Sequence, residues 1–367
     1  MKIGILTFHR ALNYGAVLQC YALSEVLKGM GHDVEVIDYR PPYIEKYRKV
    51  FLSEDYSRKS LSARIKMVCL IPATIIKKKR ASSAFDAFLE SRLKLSAPVY
   101  KAHDVPSYYD CIVFGSDQIW SLGICKGFDS VFWGQFPKGQ SHFVAYAPSL
   151  ENYQNFTEQE WSFVIEALNN FDYISVREEA FKDELEKRTT KKISWVLDPT
   201  LLVAPEILKK CIKKPAIDNY IFLFTVQPGS LPYEIAQRVA QEKGWKVVRA
   251  RAIGRLSREP GVIQMEACSP EEFLGLIYFS ECVVTNSFHA TALSVQLEKR
   301  FFSVKCERPK RIINILNALD LQDRYITKSE DVNVELTIDY TNARKKMDGL
   351  KAHSYEYIRS AFHNIHL

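Results

Sequence analysis

The side chains best suited to chemistry lie in one stretch, Glu281 to Val304, with the sequence ECVVTNSFHATALSVQLEKRFFSV. His289 stands near its middle, and histidine is the usual residue for proton transfer near neutral pH. Thr285, Asn286 and Ser287 just before it are polar and turn-prone. The apolar run Cys282–Val283–Val284 reads as a strand. Ala292, Leu293, Val295 and Gln296 repeat at helical spacing, and Phe301, Phe302 and Val304 read as the next strand. A strand–turn–helix–strand unit of this kind belongs in a parallel sheet. Ligands collect at the C-terminal ends of such strands, where free helix N-terminal N–H groups point. The same position also suits a histidine that merely packs the turn.

Other strands end in a similar way. Ile3–Phe8 runs into Asn13, Tyr14 and Gly15, and Asp110–Phe114 into Gly115, Ser116, Asp117, Gln118 and Trp120. Phe143–Ala147 stops at Pro148–Ser149, Tyr173–Val176 at Arg177, and Ser194–Leu197 at Asp198. In a parallel sheet these turns lie side by side, so Asn13, Ser116, Asp117, Ser149, Arg177 and Asp198 are expected to converge on one crevice. Arg177 suits an anion, or else a surface ion pair with Glu178 or Glu179. Asp117 suits hydrogen bonding to a ligand, or an N-cap.

The elements that must position these residues form two βα series. In the first, the helix Ala16–Met30 and the strand Val34–Tyr39 follow the opening strand. The glycine pattern of a dinucleotide site is missing after that first strand. Residues 41–99 interrupt the alternation and are helical and basic. Within them Ile65–Arg80 (IKMVCLIPATIIKKKR) reads either as a core helix broken at Pro72 or as a segment lying on an anionic membrane. Residues 204–219, with Pro205 and Pro215, read as a linker. The alternation restarts with Tyr220–Val226, Lys246–Ala250 and Gly261–Met265, then a helix from Pro270 to Phe279. The expected fold is therefore α/β, with two doubly wound Rossmann-like domains facing a cleft, as in the GT-B glycosyltransferases. The first domain spans 1–203 and the second 220–340, and an amphipathic helix over 341–367 packs back on the first.

Composition excludes several classes. At 367 residues the chain is long enough for two or three domains of about 150 residues each. Its eight cysteines form no CxxC pair and no zinc-spaced cluster, so they are expected to be reduced and no metal site is expected. No segment reads as a signal peptide or reaches the roughly 20 apolar residues of a membrane span, which points to the cytoplasm. A net charge of +7 fits anionic ligands or a membrane surface, and no nucleic-acid-binding signature accompanies it.

Taken in order, NYGAVLQCYAL, FGSDQIW, AYAPSL, FDYISVREE, VLDPTLL and TNSFHATALS resemble the polysaccharide pyruvyltransferase family over nearly the whole chain, from Ile3 to about Tyr325. The resemblance implies transfer of a pyruvyl group from phosphoenolpyruvate, as substrate rather than cofactor, to a sugar of a polysaccharide or lipid-linked oligosaccharide precursor. It makes His289 the catalytic histidine and Arg177 a donor-holding arginine. The family often carries a second arginine two residues before the histidine, where this chain has Ser287; members with SFH are known. Asn286 and Ser287 are then expected at the donor, with the missing cation supplied from Lys305, Arg308, Lys310 and Arg311. Asp117 is expected to act on the acceptor, with Asn13, Tyr14, Ser116, Gln118 and Trp120 beside it. Acceptors on lipid carriers would bring the protein to the inner face of the cell membrane. Two other readings stay open: a nucleotide-sugar glycosyltransferase using Glu266 or Glu281 at the ribose, and a saccharide-binding protein without activity.

Overall fold

The computed structural model describes residues 1–48, 61–251, 259–335 and 337–363. The apolar runs of the first half become β1 (Lys2–Leu6), β2 (Asp33–Val36), β3 (Cys111–Phe114), β4 (His142–Ala145), β5 (Tyr173–Val176) and β6 (Ile193–Trp195). They pair in the order β2-β1-β3-β4-β5-β6, every neighbour parallel. Helices cover both faces of such a sheet, so its central strands carry no polar alternation; all four residues of β3, CIVF, are buried. The helices of this half are α1 (Tyr14–Gly29), α2 (Pro42–Arg48), α3 (Leu61–Arg92), α4 (Leu122–Cys125), α5 (Glu158–Ala167) and α6 (Glu179–Glu186).

Two short helices, α7 (Pro199–Leu202) and α8 (Pro205–Lys209), lead to the second half. There β7 (Tyr220–Phe224), β8 (Lys246–Arg251), β9 (Val262–Glu266), β10 (Cys282–Thr285), β11 (Phe301–Val304) and β12 (Tyr325–Ile326) pair in the order β12-β11-β10-β7-β8-β9, again all parallel. The helices α9 (Leu231–Lys243), α10 (Pro270–Tyr278), α11 (Phe288–Gln296) and α12 (Lys310–Ala318) flank them. In each sheet the chain starts in the middle, builds outward and then returns to the other side. The direction reverses between β1 and β3 in the first sheet and between β7 and β10 in the second. These are the points where two neighbouring loops part and leave a crevice beyond the strand ends.

A single buried apolar cluster joins the halves. It includes Tyr14, Val17 and Leu18 of α1 with Phe273 and Leu274 of α10 and Leu293 of α11. The last helix, α13 (Tyr340–His363), crosses both. Tyr340 donates to the Lys299 carbonyl at 2.6 Å, while further along Ser354 Oγ accepts the Leu197 N–H and Tyr357 donates to the Ala145 carbonyl at 2.8 Å. Residues 364–367 lie outside the described residues.

Two expectations for the elements need correction, and a third falls largely outside the described residues. Helix α3 runs through Pro72 instead of breaking there, since a proline removes only one bond of a 32-residue helix. Side chains from 65 to 74 in the proposed membrane segment lie outside the described residues; beyond them Ile75 and Ile76 are exposed, and Lys77 pairs with Glu266 at 2.7 Å. Finally, Asn13 and Gly15 do not form a free turn. Asn13 is the N-cap of α1, accepting the Gly15 and Ala16 N–H groups.

Candidate active site

The two reversal points face each other across a crevice of about 370 Å³. From the first half come Phe8, Asn13, Asp117 and Gln118, beyond the ends of β1 and β3. From the second come Val226, Gln227, Ser287 and His289, beyond β7 and β10. Arg308 and Arg311, from the segment that opens α12, form part of the wall.

Local structure sets His289 at the first turn of α11. Ser287 is the N-cap, its side chain accepting the Ala290 N–H, and Asn286 ties down the opposite loop through the Val226 N–H and the Gln227 carbonyl. The imidazole presses against the start of α1. A Cβ on Gly15 would lie 2.2 Å from His289 Nδ1, so only glycine leaves room for the ring. On the other side Nε2 lies 3.6 Å from Asp198 Oδ2 and has no hydrogen-bond partner.

Asp198 is wholly buried and gathers the residues around it. Its Oδ1 accepts from the Thr200 N–H and hydroxyl, and its Oδ2 from Arg177 Nη1 at 2.7 Å and Ser116 Oγ at 3.3 Å. Burial alone would raise its pKa. His289, Arg177 and Thr200 overcome that, and hold Asp198 far below the usual carboxylate range. Glu178 accepts from Ser149 at 2.7 Å and Arg177 Nε at 3.3 Å, yet burial outweighs these partners and its pKa is raised.

Arg177 is correspondingly not an open fork. It is 4 % exposed, with its guanidinium 4.7 Å from the Phe288 ring centre. Nη1 is taken by Asp198 and Nε by Glu178, and Nη2 lies 3.7 Å from Asp117 without a hydrogen bond. Burial works against its charge, but Glu178, Asp198 and Asp117 more than compensate and raise its pKa. Arg311 is in the opposite condition. Burial and repulsion from Arg177 lower its pKa, although Glu151 sits 2.6 Å from Nη2.

The crevice thus brings together Asn13, Asp117, Gln118, Ser287, His289, Arg308 and Arg311. Asp117 caps no helix, since Ser121 begins α4; its backbone is left-handed, with φ 73°, and its carbonyl accepts the Ser149 N–H. Aspartate is among the residues that tolerate that conformation. Other sequence candidates fall elsewhere. Trp120 is stacked on Trp133 at 4.5 Å inside the core, so it is no sugar platform. Ser116 is fully buried and donates to the Ala147 carbonyl. The Tyr14 hydroxyl is spent on the Cys268 carbonyl. Lys305 is exposed after β11 and Lys310 lines the neighbouring cavity beside α12, both outside the crevice. Glu281 precedes β10, at the wrong end of the sheet, and Glu266 is paired with Lys77. Two participants carry no role readable in the sequence: Glu151, and Gly15, whose place after a strand suggests only a turn. No pattern marks Glu151, because its partners lie more than 150 positions away. Among the described residues, no three His, Cys, Asp or Glu side chains are grouped to hold a metal ion.

Two doubly wound sheets with a shared crevice at their reversal points define a protein of the GT-B fold. In agreement, the chain is similar in structure to a UDP-GlcNAc 2-epimerase from Methanocaldococcus jannaschii, with a TM-score of 0.50 and 11 % identity over 97 % of this chain and 100 % of that one. A UDP-N-acetylglucosamine 2-epimerase from Rickettsia bellii gives a TM-score of 0.49 at 12 % identity, covering 100 % of this chain and 97 % of that one. A spinosyn rhamnosyltransferase gives 0.40 at 11 %, covering 99 % and 96 %. No curated relative matches significantly. The family model for polysaccharide pyruvyl transferase matches residues 13–308, and the chain belongs to that family.

Proposed function

We propose that this protein transfers the pyruvyl unit of phosphoenolpyruvate to two hydroxyls of one sugar, forming a ketal and releasing phosphate. One observation carries the reading beyond the family. Gln118 Nε2, His289 Nε2 and Arg311 Nε, all on residues that line the same crevice, are buried without hydrogen-bond partners. Buried polar atoms left unsatisfied call for a ligand or water, and these suit an acceptor-rich anion.

The chemistry follows from the donor. One sugar hydroxyl adds to C2 and loses its proton, while C3 gains a proton. Phosphate leaves with the electrons of its C–O bond, and the second hydroxyl adds to C2 and loses its proton. His289 moves these protons, since a single histidine can act as acid and then as base. Asp198 faces the imidazole, with Oδ2 3.6 Å from Nε2. Arg308 and Arg311 hold the donor's anionic groups, with Asn286 and Ser287 fixing the loop beside them. Arg177 acts behind the crevice by holding Asp198 and Asp117 in place. Asp117 accepts from the acceptor hydroxyl. The acceptor is a polysaccharide or lipid-linked precursor, and the partly exposed middle of α3, Ile75 to Arg80, faces the membrane that carries it. Among the described residues no helix is long and apolar enough to cross a membrane.

Calorimetry with phosphoenolpyruvate and no acceptor tests the donor. Mass spectrometry of lipid-linked oligosaccharides after incubation tests the product, with a gain of one pyruvyl ketal expected. A nucleotide-sugar reaction is the second reading, favoured by a cavity of about 570 Å³ at the ends of β7 and β8 that holds Arg249 and Arg251. No heat with phosphoenolpyruvate, together with thermal stabilisation by a nucleotide sugar, would replace the first reading with the second.

A further inference from the structure

Glu151 follows β4 in the first half, yet its carboxylate is held by the second half. Arg308 Nη1 lies 2.9 Å from one oxygen and Arg311 Nη2 2.6 Å from the other. The side chain of Glu151 is only 13 % exposed, so this is a partly desolvated, two-point contact and not a surface pair. It also spends the two guanidinium groups of the crevice that the donor reading requires. With Glu151 in place, Arg177, Arg308 and Arg311 face four carboxylates, those of Asp117, Glu151, Glu178 and Asp198. Among these seven groups no surplus positive charge remains for an incoming anion. A carboxylate bridging two guanidiniums has the geometry expected of a bound carboxylate or phosphate.

We infer that Glu151 is a built-in competitor for the anion site: it occupies Arg308 and Arg311 in the empty protein, and a phosphate- or carboxylate-bearing ligand must displace it. This rests on the reading of Arg308 and Arg311 as donor residues. Displacement releases the loop that follows, whose Asn155 and Phe156 N–H groups bond back to the Asn152 and Tyr153 carbonyls. Ligand binding is thereby coupled to the opening of a second cavity of about 340 Å³, which lies between that loop and α12 and has Glu151, Arg308 and Arg311 in its wall. A latch closed about nine-tenths of the time weakens the apparent affinity about tenfold.

The test uses the full-length chain and inorganic phosphate as the probe. Glu151→Gln is expected to bind phosphate about tenfold more tightly than wild type by calorimetry. Saturating phosphate is expected to speed amide exchange in peptides covering 150–156 of the wild type. In an Arg308→Gln background, adding Glu151→Gln is expected to gain much less. Equal or weaker phosphate binding by Glu151→Gln, with exchange over 150–156 unchanged or slowed, overturns the latch and makes Glu151 a plain clamp between the halves. Phosphoenolpyruvate separates the two readings. If it binds wild type tightly while Glu151→Gln gains nothing, the latch fails and the donor assignment stands. If Glu151→Gln tightens phosphate but phosphoenolpyruvate binds no better than phosphate, the latch stands and the donor assignment fails.

Discussion

Four side chains meet at Asp198: Ser116, Arg177, Thr200 and His289. This arrangement separates two residues that both resemble catalytic groups. His289 lines the crevice, while Arg177 lies behind Phe288 and neutralises buried carboxylates. His289→Ala should therefore keep donor binding and lose on the order of 10²- to 10⁴-fold in turnover, with a small effect on stability. Arg177→Ala should cost roughly 3–5 kcal/mol, because it leaves buried charges unpaired. Chemical denaturation of the two variants checks this; equal stabilities would place Arg177 at the surface. The sign of the pH effect is fixed by the depressed pKa of Asp198. Its contribution is complete above the unfolded value of about 3.9 and is lost as pH falls through the folded value. Without Arg177 the folded value rises, so acid unfolding should begin at higher pH. Gly15→Ala probes the same site from α1. The added methyl has no room beside the imidazole, so turnover should fall at least tenfold while donor binding changes less, as steady-state kinetics and calorimetry would show. Wild-type turnover in Gly15→Ala would mean that the ring need not sit there.

Most elements were legible because buried parallel strands are short apolar runs bounded by turn residues. Tyr173–Val176 and Phe301–Val304 fall where the sequence places them, and the ends of other strands shift by one to three residues. α12 was hidden. Its opening residues Lys310 and Arg311 read as a basic run after a strand, although Ile312, Ile315 and Leu316 form the buried face of a helix. The crevice residues next to strand ends were legible in the same way. The roles of Arg177 and Glu151 were not, since each depends on partners that only the folded chain brings near. Helix α3 carries the element-scale prediction. Its basic middle, Lys77 to Arg80, leaves Lys79 and Arg80 exposed, while Lys77 is shared with Glu266. Replacing Lys77, Lys78, Lys79 and Arg80 together by glutamine should weaken binding to anionic vesicles by up to about 1 kcal/mol per charge. Turnover of a soluble acceptor should survive. Vesicle sedimentation at low salt that does not distinguish the variant from wild type would remove the membrane role.

For the molecule as a whole, the question is whether the two halves can move independently. Domains joined by a small polar contact usually do, and a large apolar contact suppresses it. Here the seam is apolar: Tyr14 of α1 stacks on Phe273 of α10 with ring centres 4.2 Å apart and planes 6° apart, and its hydroxyl reaches the Cys268 carbonyl at 3.2 Å. Gln296 of α11 also donates to the Val203 carbonyl beside α7. His289 is held against Gly15, the residue after Tyr14, so the seam sets the distance between the histidine and the first half. Two substitutions separate the seam from the acceptor role that the sequence assigned to Tyr14. Tyr14→Phe keeps the stack and loses one hydrogen bond, which should cost about 1 kcal/mol and leave turnover close to wild type. Tyr14→Ala empties the seam and should cost roughly 3–5 kcal/mol, as for other large aromatic truncations. Scanning calorimetry of the wild type should show one transition for both halves, and Tyr14→Ala should broaden or split it. If Tyr14→Phe instead unfolds like wild type but fails to turn over acceptor, the hydroxyl belongs to the acceptor site and the seam is not its main role.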